Sequence, residues 1–202
     1  MSEGSGSGQG AQGAPGAVRK DVRRNQQALL DAAAEVFVAS GVEAPVRDIA
    51  ARAGVGTGTV YRHFPTRADL VVAVYRHQVD ACADAGPALL ASGPTPGAAL
   101  GRWVDLFVDF LVTKHGLAAA MQADNTGFEA LHAYFLDRLL PVCTRLLDEA
   151  AAAGEIRSDV TAYQLMRGIG NLCIGAESDP EYDARRMVAL LVAGLRRSVW
   201  AH

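Results

Sequence analysis

The chain has 202 residues and a mass of 21.2 kDa, which allows one or two domains. Half of it is hydrophobic and 20% is charged, enough apolar material for a core and too much for a wholly disordered chain. The net charge of −3, from 19 basic and 22 acidic residues, argues against a protein that binds polyanions over its whole surface.

Met1 to Val18 is mostly Gly, Ser, Gln and Ala, with a single charge at Glu3, and predicts a flexible tail. From Asp21 the pattern turns helical. Leu30, Ala33, Ala34 and Phe37 fall at i, i+3, i+4 and i+7, and Gly41 stands where a C-cap would end the helix. Pro45 suits a first helical position, and Val46, Ile49, Ala50 and Ala53 repeat the spacing up to Gly54. Gly56, Thr57 and Gly58 open a third helix, which carries Val60 and Phe64 on one face and stops before Pro65. Thr66 is a good N-cap for a fourth, with Asp69 at the capping-box position and Leu70, Val71 and Val74 following. Short helices joined by a tight Gly-containing turn make a helix-turn-helix candidate.

Gly86 to Gly97, with Pro87, Pro94 and Pro96, reads as a loop. Amphipathic segments follow at Ala98–Lys114, Leu117–Asp124, Gly127–Ala153, Val160–Ala176 and Pro180–Val199, and Pro141 is expected to kink or split the third of these. No useful period-two run occurs. The expected fold is all-α: a tail over 1–18, a helix-turn-helix domain over 19–67, and a larger helical domain over 68–202.

Cys82, Cys143 and Cys173 are odd in number and far apart, so neither a disulfide framework nor a metal cluster is expected. The longest apolar run, Met187–Leu195, falls far short of the ~20 residues of a membrane span, and no charged-then-apolar leader opens the chain. A cytoplasmic protein with no membrane partner is the expectation. Enzyme signatures are missing as well. The spacing Gly54-x-Gly56-x-Gly58 lacks the third glycine and the preceding strand of a dinucleotide fingerprint. There is no nucleophile elbow, HExxH or phosphate-loop lysine, and the five histidines are scattered. No catalytic residue, metal ligand or cofactor is expected.

Charge follows the domain boundary. Arg19 to Arg67 holds eight basic residues against five acids, net +3, while Ala68 to His202 holds eleven against sixteen, net −5. A basic module on an acidic body suggests a local polyanion site. With Val60 and Phe64 turned to the core, Gly58 and Arg62 face away at 100° per residue, flanked by Thr59 and Tyr61. Small residues allow close approach to a major groove, hydroxyls and a phenol suit base edges and phosphates, and cations suit the backbone. Arg47 can reach the same groove or its rim. Thr66 and Arg67, at a helix N-terminus, offer N–H groups and a guanidinium to a phosphate. Ordinary solvated polar residues on a helical hairpin are the alternative.

The segment GVGTGTVYRHFPTRADL, preceded by IAARAG and by LLDAAAEVFVASG, resembles the DNA-binding domain of the tetracycline-repressor (TetR) family from about Asn25 to Val74. The resemblance implies that Arg47, Thr57, Gly58, Thr59 and Tyr61 meet bases or nearby backbone, and that Arg62, His63 and Arg67 meet phosphates. The Ala44-Pro45 entry to the second helix departs from the family's usual pair of hydroxyl residues, one of which often meets a phosphate. Family layout further implies a homodimer through the last two long helices, a palindromic double-stranded operator and a small-molecule effector. The expected mechanism is a repressor released when an effector shifts the fourth helix, Ala68–Ala83.

The body offers some independent support. Gly168, Gly170 and Gly175 lie in one helical pattern at a cost of about 1 kcal/mol each relative to Ala, which close helix approach would offset. Met187, Leu190, Leu191 and Leu195 form a stripe that a partner could cover. Packing within one subunit is the competing reading. Trp103, Phe107, Phe110, Met121, Phe128, His132, Phe135 and Cys143 are candidates to line an effector pocket, against the alternative of a packed core. Two other functions stay open: a helical partner-binding module without DNA, and a regulator that activates.

Overall fold

The computed structural model describes residues 15–121, 125–174, 179 and 181–196, with side chains described from 24 to 111 and from 129 onward within those ranges. Eight helices make up this part of the chain: α1 (Pro15–Ser40), α2 (Val46–Ala53), α3 (Thr57–His63), α4 (Arg67–Ser92), α5 (Pro96–Met121), α6 (Asn125–Ala152), α7 (Ala162–Cys173) and α8 (Ala184–Ala193). Among the described residues the sole β-type pairing is an isolated antiparallel bridge between Ile156 and Arg196. No helix among them is long and apolar enough to cross a membrane.

Turn chemistry sets the N-terminal module. Gly41 and Gly54 take left-handed backbone, with φ of 77° and 69°, where a side chain would be strained. Gly54 ends α2 by donating its N–H to the Ala50 and Ala51 carbonyls, and Val55 N–H adds a 2.9 Å bond to the Ala50 carbonyl. Leu29, Ala33 and Phe37 of α1 then close over Ile49 and Ala50 of α2 and over Val60 and Phe64 at α3, all of them buried. Thr66 caps α4 as its sequence predicts: its hydroxyl accepts from Asp69 N–H, and the Asp69 carboxylate accepts from Thr66 N–H at 3.0 Å.

Helix α4 joins the two halves. Leu70, Val71 and Val74 belong to the N-terminal core, and Val79, Cys82, Ala83 and Gly86 are buried against the body. Its length corrects the loop expected over Gly86–Gly97. The helix runs through Gly86 and Pro87 to Ser92, and only residues 93–95 separate it from α5. Pro87 forgoes a single backbone bond, to the carbonyl four residues back, and Gly86 is small because α6 presses on it: a Cβ there would collide with Cγ1 of Val142. Close packing outweighs two residues that locally break helices.

The same holds elsewhere. Pro141 lies inside an unbroken α6, not at a split, and α5 continues through Lys114 to Met121 as one helix. Helix α1 begins at Pro15, inside the segment expected to be a tail. Helices α7 and α8 end earlier than their patterns suggested, at Cys173 and Ala193.

Candidate nucleic-acid interface

Helix α3 presents the face that its periodicity predicts. Val60 and Phe64 are buried at 1% and 5% exposure, while Thr57, Gly58, Tyr61, Arg62 and His63 are exposed and Thr59 is half-buried. Tyr61 is the largest apolar group on this face, at 52% exposure. No atom lies within 4 Å of where a Cβ on Gly56 or Gly58 would stand. Nothing inside the chain therefore requires glycine at Gly58, whose backbone φ is not left-handed. Its effect is to leave the outer surface of α3 open to close approach.

Arg47 projects from the first turn of α2 with its side chain 80% exposed, touching Asp48 at 3.4 Å. Arg52, on the same helix, is spent on an ion pair with Glu35 of α1. Arg62 and His63 follow Tyr61 at the end of α3, and the His63 ring sits 6.2 Å from that of Phe64. Thr57, Gly58, Thr59, Tyr61, Arg62 and His63 thus gather small, hydroxylic and cationic groups on α3, and Arg47 adds an exposed cation on α2. Among the described residues no group of three His, Cys, Asp or Glu side chains converges as a metal site would require.

Thr66 and Arg67 were expected to hold a phosphate, and the structure gives both a structural task first. The Thr66 hydroxyl and N–H are engaged in the capping box. Arg67 turns inward: one guanidinium nitrogen donates to the carbonyls of Val42 and Ala44, the latter at 2.7 Å, and Nε lies 3.7 Å from the Glu43 carboxylate. A guanidinium so engaged clamps the connection between α1 and α2 to the first turn of α4.

Two family models match the chain: bacterial regulatory proteins of the tetR family over residues 29–74, and the C-terminal domain of SbtR-like transcriptional regulators over residues 95–197. Together they span the helix-turn-helix and the body. The chain belongs to the TetR family of transcriptional regulators. This TetR-family chain is 35% identical to a TetR transcriptional regulator of Streptomyces coelicolor, with a TM-score of 0.74 over 87% of this chain and 99% of that one. It is 34% identical to a TetR regulatory protein of Mycobacterium vanbaalenii, with a TM-score of 0.67 over 89% and 99%. The transcriptional repressor LfrR of Mycolicibacterium smegmatis is 43% identical over 89 residues, 43% of this chain and 45% of that repressor, so the match spans less than half of its length.

In the body of this TetR chain, Trp103, Phe107, Phe110 and Phe135 meet ring on ring. Phe107 stacks on Trp103 at 5.4 Å between centroids and on Phe135 at 5.9 Å, and Phe110 lies 5.8 Å from Phe135. The four are buried at 6% exposure or less. The Trp103 indole N–H donates to the Cys82 carbonyl at 2.9 Å. Burial pushes the Cys143 thiol up to about 12, so at neutral pH it packs as a neutral apolar group. His132 is exposed and stacks on Phe135 from outside. The side chains of Met121 and Phe128 lie outside the described residues.

The expected dimer residues divide. Met187 and Leu190 are exposed at 39% and 59%, whereas Leu195 is buried at 4% and its carbonyl accepts from Arg157 N–H. Gly168 faces Leu191 of its own subunit, 3.4 Å from where a Cβ would stand, while the same position on Gly170 meets nothing. Gly175 lies outside the described residues. Gly168 and Leu191 therefore pack α7 against α8 within the subunit, and Leu195, just beyond α8, is buried in the same subunit. The outward apolar groups are Met187 and Leu190 on α8, with Tyr163 on α7 and Ile174 at its C-cap, at 53% and 69% exposure. Sequence periodicity missed Tyr163 and Ile174 as a pair, although with Gly170 they lie on one face at i, i+7 and i+11.

Proposed function

We propose that the chain is a homodimeric repressor that reads a palindromic operator with α3 and is released by a small apolar or amphipathic molecule. The observation that carries the reading is the open surface over Gly58, with Tyr61 exposed, on a helix whose opposite face is locked into the core, together with the exposed cation of Arg47 on α2. Arg47, Thr57, Thr59 and Tyr61 are assigned to base edges and nearby backbone, and Arg62 and His63 to phosphates. Two-fold symmetry suits such a reader, because half-sites are normally about one DNA turn apart. The outward face of Tyr163, Gly170, Ile174, Met187 and Leu190 is assigned to the dimer contact. The effector is assigned to the aromatic cluster between α4, α5 and α6, where binding would shift α4 and with it the spacing of the two recognition helices.

Selection from a random duplex pool, followed by a salt titration on the winning site, tests the reading. A palindromic site whose affinity falls steeply with salt is the expected result. Tyr61→Ala and Arg47→Ala should then abolish or relax specific binding. No enrichment at low salt would leave a helical partner-binding module as the better account.

A further inference from the structure

A cleft of about 570 Å³ opens where the end of α6, the connection from α6 to α7 and the chain just after α8 come together. That volume lies within the range of small-molecule sites, about 300–1,000 Å³. Ala151 and Ile156 supply apolar lining, and Arg157, Ser158, Asp159 and Arg196 supply polar lining.

Main-chain bonds fix this frame. Gly154, at φ 74°, ends α6, and the N–H groups of Gly154 and Glu155 donate to the Ala151 and Ala150 carbonyls at 2.9 and 3.1 Å. Ile156 then pairs with Arg196 in the antiparallel bridge, and Arg157 N–H donates to the Leu195 carbonyl at 2.8 Å. Ile156 and Leu195 anchor the two strands of this contact, buried at 5% and 4% exposure. The polar groups therefore stand on a backbone ordered by folding, which lowers the ordering cost of binding a ligand.

The carboxylates of this connection are already engaged. Glu155 reaches the start of α5, where it accepts from the Thr95 hydroxyl at 2.8 Å and from Gly97 N–H at 3.1 Å. Asp159 accepts from Nε and Nη2 of Arg157, one on each carboxylate oxygen. Those bonds hold its carboxyl below the usual range, so it stays ionised and the pair is neutral as a unit. The pairing occupies one edge of the Arg157 guanidinium and leaves Nη1 for another acceptor. Arg196 is exposed and pairs with no acid among the described residues. The lining thus carries one uncompensated positive charge, with the Ser158 hydroxyl as a further donor. Two guanidiniums against one neutralised carboxylate disfavour a cation and suit an oxyanion, which a guanidinium binds through two parallel N–H groups.

We infer that this cleft is a small-molecule site, distinct from the aromatic cluster, for an oxyanion (carboxylate or phosphate) attached to a short apolar group, with Arg196 and Nη1 of Arg157 as its donors. It stands whether or not α3 reads an operator.

The test titrates benzoate, acetate and inorganic phosphate into the full chain at an ionic strength held constant with chloride, following the amide resonances of residues 156–159 and 194–196. These amides should shift and saturate. Benzoate should bind more tightly than acetate, because its ring meets Ala151 and Ile156; tighter binding of phosphate than of either would assign the oxyanion to a phosphate. Arg196→Gln should weaken the tightest probe about tenfold or more, the loss of a charge-assisted hydrogen bond. Asp159→Asn removes the internal competitor for Arg157 and should tighten binding by up to about fivefold, the strength of an exposed ion pair. Arg145→Gln and Asp137→Asn make the same charge changes at exposed positions of α6 outside the cleft and should match the wild type. Three results would each overturn the site: no probe moves these amides, Arg145→Gln weakens binding as much as Arg196→Gln, or Asp159→Asn loosens it. A change of mass in solution in Arg196→Gln, with no anion effect, would give the cleft to a second copy of the chain instead.

Discussion

Gly58 and Gly86 both lie inside helices, and their surroundings are opposites. Around Gly58 there is nothing within 4 Å of a side chain that could be added; around Gly86, Val142, Leu146 and Trp103 already occupy the space. The difference separates the two halves of the molecule. In the body, residue size is set by what the chain packs against itself, and the close contact of α4 with α6 is made at a glycine where helix propensity favours almost anything else. On the outer face of α3 no internal neighbour explains the small residue, and the proposed approach to a DNA groove is what would make use of it.

Substitutions can break or sharpen that contrast. The largest effect is expected at Phe107, at the centre of the ring stack. Phe107→Ala leaves a cavity and should cost about 3–5 kcal/mol, seen as a fall of roughly 10 °C in melting temperature. Gly86→Ala comes next, at about 1–3 kcal/mol from overpacking, and Val142→Ala in the same chain should recover part of the loss. A melting temperature unchanged by Gly86→Ala would show that α6 can step aside, and the contrast would lose one of its sides. Thr66→Ala removes the α4 cap and should cost about 1 kcal/mol, with Thr66→Ser close to wild type. Gly58→Ala should be neutral, or stabilising by up to about 1 kcal/mol, while operator affinity falls. If Gly58→Ala bound the selected operator as tightly as wild type, the open surface would have no function in groove approach.

The local rules carried the N-terminal module well. Gly41, Gly54, Thr66 and Asp69 are punctuation whose meaning is settled within a few residues, and Val60 with Phe64 fixes which side of α3 faces out. They failed where partners are distant in sequence. Gly86 and Pro87 look like a loop until Val142, more than fifty residues on, explains the glycine. At Arg67 the sequence shows only a cation free for a phosphate, and its hold on two backbone carbonyls is a task that no side-chain pattern reveals.

Those carbonyl acceptors also bear on how such a chain can change over time. Because Arg67 grips the main chain at Val42 and Ala44, those two hydrogen bonds do not depend on the side chains there, which are buried in the core on their own account. Exchanges that keep Val42 and Ala44 apolar and small enough for the core leave this mounting in place. The Ala44-Pro45 step, where the family usually carries hydroxyls, is a departure of that kind.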